Sequence, residues 1–138
     1  MPKEKKMTEE CTCEAAAILI FPCSGSSNCG QIANQAAVHL TENGLGKMYC
    51  LAGLGAHDDV MVQATKAAKQ VVAIDGCSTA CAKRTIEHAG LTVTDWVCVT
   101  EEGISKSHEF NLAPEEIGLI TRRTSELLAR PAAVGHEA

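Results

Sequence analysis

Apolar and polar positions along this chain change period several times, and each change marks an element. "AAAILIF" (15–21) is apolar throughout and reads as a strand buried on both faces. The loop "PCSGSSNCG" follows. Asn28 suits a helix cap with Gln31 in the capping-box position, and the helix runs to about Glu42, where Asn43-Gly44 ends it. "KMYCLAG" (47–53) reads as a second strand. Asp58 and Asp59 suit the start of a helix that runs to about Lys69. "QVVAIDG" (70–76) is a third strand, and a third helix covers roughly 79–89, closed by Gly90. "VTDWVCVT" (93–100) is a fourth strand. Pro114 then opens a helix to about Ala129, with an apolar stripe of Ile117, Ile120, Leu127 and Leu128.

Strand alternating with helix predicts right-handed βαβ units and a parallel sheet. The expected fold class is α/β: four parallel strands with helices on both faces, a three-layer sandwich in Rossmann-like or flavodoxin-like order. Ligands in such folds sit beyond the carboxyl ends of the strands, at the switch point. Residues 15–130 are expected to form one domain. Before it, "MPKEKKMTEECTCE" (1–14) is a charged, patternless stretch expected to be mobile, with a C-x-C at Cys11 and Cys13. Residues 131–138 form a short C-terminal tail.

Composition narrows the function classes. A chain of 138 residues buries enough core to do without disulfides. The net charge is -5, and no basic cluster is interleaved with aromatics, which argues against nucleic-acid binding. No apolar run approaches the length of a membrane span. Eight cysteines would suit a secreted, disulfide-rich protein. Export needs a signal, and "AAAILIFPC" makes a poor one: it is short, it follows Glu9, Glu10 and Glu14, and Pro22 stands where a lipoprotein box wants a small residue. The expectation is a cytoplasmic protein whose thiols stay reduced, where clustered cysteines hold metal or do redox work. A protein or small-molecule partner and assembly with further copies of the chain are left open.

The cysteine spacing carries the candidate chemistry. Cys23, Cys50 and Cys77 follow one another at equal intervals of 27 residues, the length of one βαβ repeat. All three therefore fall near the same end of successive strands. Cys81 lies one helical turn beyond Cys77 and faces the same edge. Four thiols converging on one rim satisfy the tetrahedral preference of Zn²⁺. Helix N-termini beside them favour thiolates and offset the charge of the complex. Cys98, inside the fourth strand, reads as core packing. Cys29, in the first turn of the first helix, reads as core, auxiliary ligand or redox partner.

The motifs "PCSGSSNCGQIANQAA", "CLAGLG" and "IDGCSTACAK", in that order, resemble the DGC-domain proteins, a family described as zinc-binding and named for the triplet found here as Asp75-Gly76-Cys77. The resemblance runs from about Ala17 to Leu128. It implies zinc held by four cysteines, matched by motif to Cys23, Cys50, Cys77 and Cys81. These are the four that the strand ends select. Cys11, Cys13 and Cys29 lie outside the family pattern.

Other readings compete for the same residues. A thiol-dependent phosphatase or arsenate reductase would place a cysteine loop after the first strand, but would need an arginine there to hold the oxyanion. The first arginine in the chain is Arg84. A thiol redox protein could close Cys23 with Cys29, or Cys77 with Cys81, although no C-x-x-C is present. An iron–sulfur cluster could use the four rim cysteines. A nucleotide site has little support, because "GLGAH" is not a full G-x-G-x-x-G. Of the remaining residues near the rim, His57 reads as an auxiliary donor or proton-transfer group, or as a surface histidine. Asp75 reads as a residue that shapes the turn or adds charge to the site. His39, His88, His108 and His136 read as surface residues.

Overall fold

The computed structural model describes residues 17–130; the tail with Cys11 and Cys13 and residues 131–138 lie outside them. Four strands, β1 (Ile18–Pro22), β2 (Lys47–Met48), β3 (Gln70–Asp75) and β4 (Asp95–Cys98), form one sheet in the order β2-β1-β3-β4. Every neighbouring pair is parallel. Of the two arrangements expected, this order matches the flavodoxin-like one. It puts the switch point between β1 and β3, which pair along their whole length from Ile18 opposite Gln70 to Pro22 opposite Ile74.

Alternate side chains of β1 and β3 point to opposite faces, and each face is covered. On one side Ile20, Val72, Ile74 and Val97 pack under α1 (Asn28–Glu42) and α5 (Pro114–Ala129), through Ile32, Ala33, Ala36, Leu40 and Ile120. The stripe expected on α5 lies here, with Ile117, Leu127 and Leu128 packed against this core. On the other side Leu19, Phe21, Val71 and Ala73 pack against Leu54 of α2 (Leu51–Gly55) and Ala82 and Ile86 of α4 (Cys81–His88). The alanine-rich face of α1 lets that helix approach the sheet closely.

Three sequence readings need correction. The second strand spans two residues rather than seven, and "LAGLG" is the short helix α2 with Cys50 as its N-cap. Gly53 is there because Met61 of α3 (Asp59–Lys66) occupies the space a Cβ would need. The first helix is capped by Ser27, whose hydroxyl accepts from Gly30 N at 3.1 Å, and not by Asn28. Gln31 bonds the carbonyls of Ser24 and Gly25 and ties down the preceding loop. The third helix starts at Cys81, two residues later than expected, because Ala80 adopts a left-handed conformation (φ 55°, ψ 46°). Asp58 caps α3 by accepting from Met61 N at 3.0 Å, as its position suggested. Among the described residues no helix is long and apolar enough to cross a membrane.

Candidate metal centre

Each strand that delivers a cysteine to the rim ends just before it. Cys23 follows β1, Cys50 lies two residues past β2, and Cys77 lies two past β3. Cys81 is the first residue of α4. Cys23, Cys77 and Cys81 line one cleft of about 440 Å³ over the switch point, together with Gly76, Thr79 and Lys106. Cys50 lines a neighbouring depression of about 470 Å³, of which Cys23 is the shared wall. Cys50 and Cys81 are exposed, and Cys23 and Cys77 are half-buried. All six described cysteines are free thiols. Among the described residues, no three Cys, His, Asp or Glu side chains already stand together as a metal would require.

The loops that carry the cysteines are held by close backbone packing. A Cβ on Gly76 would stand 2.7 Å from Gly30 N and 2.9 Å from Cys29 C; one on Gly30 would stand 2.5 Å from Gly25 N. The first turn of α1 therefore wedges between the two cysteine loops. Cys23 N donates to Ile74 O at 2.9 Å, continuing the β1–β3 ladder past the strand end. Gly76 N donates to Cys23 Sγ at 3.4 Å.

The two half-buried thiols differ in acidity. Burial pushes the Cys23 thiol up, against the backbone N–H groups of Gly25 and Gly76 that favour its thiolate. Cys77 is held below an ordinary thiol, first by the Thr79 hydroxyl and backbone N–H, then by Lys106. The Cys77 thiol and Thr79 Oγ1 are 3.5 Å apart, and Lys106 Nζ donates to Cys77 Sγ at 3.5 Å. Lys106 is brought there by Asn28. The Asn28 Oδ1 accepts from Ser107 N at 2.6 Å and its Nδ2 donates to Ser105 O at 2.9 Å, clasping the loop that follows β4.

The sequence reading missed Thr79, Lys106 and His108, all of which line the cleft. Lys106 and His108 follow the fourth strand, so the strand-end rule that selected the cysteines would also have reached them. Asp75 does more than shape a turn. Its buried carboxylate accepts from Ala82 N at 2.7 Å, Lys83 N at 3.1 Å and Trp96 Nε1 at 3.0 Å, and so caps α4 from the end of β3. Cys29 is fully buried in the core under α1, its thiol 3.9 Å from Ile104 O, away from the cleft. Cys98 is buried at the end of β4 beside Thr100. His57 stands on the surface against His88 rather than in the cleft.

A flavodoxin-like α/β sheet with cysteines gathered at its switch point defines a class of thiol-rimmed α/β domains. The DGC-domain family model matches residues 19–124, and the chain belongs to that family. It is also 31% identical over 90 residues to the "Anaerobic and virulence modulator AnvM" of Pseudomonas aeruginosa, covering 65% of this chain and 69% of that protein. No solved structure matches it.

Proposed function

We propose that this protein binds one Zn²⁺ through Cys23, Cys50, Cys77 and Cys81, and that the bound metal serves in metal handling or sensing. The observation that carries the reading is that Cys23, Cys77 and Cys81 line a single cleft at the switch point, with Cys50 across the wall formed by Cys23. The surroundings suit a thiolate complex. Gly76 N–H already points at Cys23 Sγ, and Lys106 supplies positive charge where a four-thiolate zinc would carry a net charge of about −2. Cys50 and Cys81 have exposed side chains, free to turn and complete the shell.

A purely structural metal fits less well. Both faces of the sheet are packed without it, and among the described residues no buried polar side-chain atom lacks a partner. The similar protein from P. aeruginosa is named a modulator, and a modulator's part for this chain favours sensing over storage. Thiolates released from zinc become oxidisable, which gives such a site a readout.

Elemental analysis and an absorption spectrum of protein purified without oxygen test the proposal. The expected result is about one zinc per chain, no colour, loss of the metal in Cys77→Ser and retention in Cys98→Ser. Equal loss in both variants overturns the ligand set. Iron with sulfide would assign the same cysteines to a cluster. Absence of metal with titratable rim thiols would favour thiol redox chemistry, led by Cys77 with its lowered pKa.

A further inference from the structure

His57 occupies an unusual place. It follows the last turn of α2, and its N–H donates to Leu54 O while that of Asp58 donates to Gly53 O. This is the Schellman pattern, with His57 at the left-handed position after the cap (φ 59°). Glycine takes that position without strain, whereas a side chain there costs energy. The His57 ring stands against that of His88, in the last turn of α4, with ring centroids 5.6 Å apart and planes at 61°. Both side chains are exposed, so burial does not explain the pairing.

We infer that His57 and His88 form a second, imidazole-based site for a divalent cation of the zinc type, separate from the thiol rim. With Zn–N of about 2.0–2.1 Å and a tetrahedral angle, two coordinated imidazoles hold their centroids roughly 5 Å apart. The observed 5.6 Å is close to that spacing, and both rings are exposed and free to turn. The rings come from two helices whose Leu54, Ala82 and Ile86 share one core cluster, so the fold holds their backbones side by side. Neutral imidazole suits zinc, cobalt and nickel, and water completes a two-protein-ligand shell on an open surface. Cys81 is seven residues before His88, about 10 Å along the helix axis, too far to share one ion with it. Cys81, Arg84, Thr85 and His88 line the shallow depression that joins the two places. The Arg84 guanidinium is engaged at the Cys81 end of the helix, donating to Thr79 O at 3.3 Å.

The inference does not depend on the thiol site, and the test separates the two. The full chain, already supplied with one equivalent of Zn²⁺, is titrated with further Zn²⁺ by calorimetry, with the histidine rings followed by NMR. The expected result is one weaker equivalent whose binding moves the His57 and His88 resonances together and leaves His39 in place. His57→Gly and His88→Ala should each weaken that equivalent at least tenfold. Glycine is the residue this turn prefers, so His57→Gly folds at least as well as the parent and loss of binding there is not loss of structure. Cys77→Ser should keep the imidazole site whatever it does to the rim. No zinc-dependent shift of the His57 and His88 rings, or an unchanged extra equivalent in both histidine variants, overturns the inference. Ring shifts in a protein that holds no thiol-bound zinc would leave it standing and overturn the rim proposal alone.

Discussion

The Asp75 carboxylate and the Trp96 indole meet at 3.0 Å, Oδ2 accepting from Nε1, across the β3–β4 pair. The same carboxylate holds the N-terminus of α4, whose own N-cap, Ala80, has no side-chain bond to offer. One buried acid thus fixes the helix that begins with Cys81 to the strand that ends before Cys77. In Asp75→Asn an N–H group would face a donor on one side or the other. The expected cost is about 2–4 kcal/mol, read by urea denaturation with Trp96 fluorescence as probe. A loss under about 0.5 kcal/mol would mean that the cap does not hold the helix.

Cys77 and Cys23 should separate in an alkylation series. A thiol held below its ordinary pKa keeps its thiolate to lower pH, so the half-point of Cys77 alkylation lies below that of an unfolded thiol. Burial moves Cys23 the other way. Thr79→Val and Lys106→Met should each shift the Cys77 half-point to higher pH. Asn28→Ala, which frees the loop carrying Lys106, should shift it in the same direction by less. Peptide mapping of metal-free protein after timed iodoacetamide exposure gives all four half-points. A Cys77 half-point unmoved by both Thr79→Val and Lys106→Met would remove them as its cause.

Two glycines of the rim make opposite predictions. Gly76→Ala sets a Cβ against the backbone of Gly30 and Cys29, neither of which can yield without moving α1. A cost of about 3 kcal/mol is expected. Gly25→Ala meets only Cys23 Sγ at 3.6 Å, ordinary contact, and should change stability by under about 1 kcal/mol. Thermal melts of the pair settle it, and similar melting temperatures would mean that the wedge of α1 is not tight.

Cys29 tests whether burial and function separate. Cys29→Ala removes a fully buried sulfur from the core under α1, at an expected cost of about 1–2 kcal/mol. Metal content should not change. Loss of metal without loss of stability would return Cys29 to the candidate ligands.

The apolar runs made β1 and β3 legible because a strand buried on both faces has no polar positions to confuse its period. Pro114 and the stripe behind it made α5 legible in the same way. The 27-residue interval found the rim because each repeat returns the chain to one edge of the sheet. What pattern could not show was set by contacts distant in sequence. The segment around Cys50 turns helical after two residues of strand, and its Gly53 answers to Met61. Asp75 looked like a turn residue because its partners Ala82, Lys83 and Trp96 are close only in the fold. Lys106 reaches Cys77 through a clasp on Asn28, 77 and 79 residues from its partners there.

Cys23 borders both the cleft of Cys77 and the depression of Cys50. A single sulfur therefore belongs to two neighbourhoods. An ion seated on it would reach Cys77 and Cys81 on one flank and Cys50 on the other. Take that one side chain away and the two flanks become separate surfaces, each short of the thiols a tetrahedral ion needs.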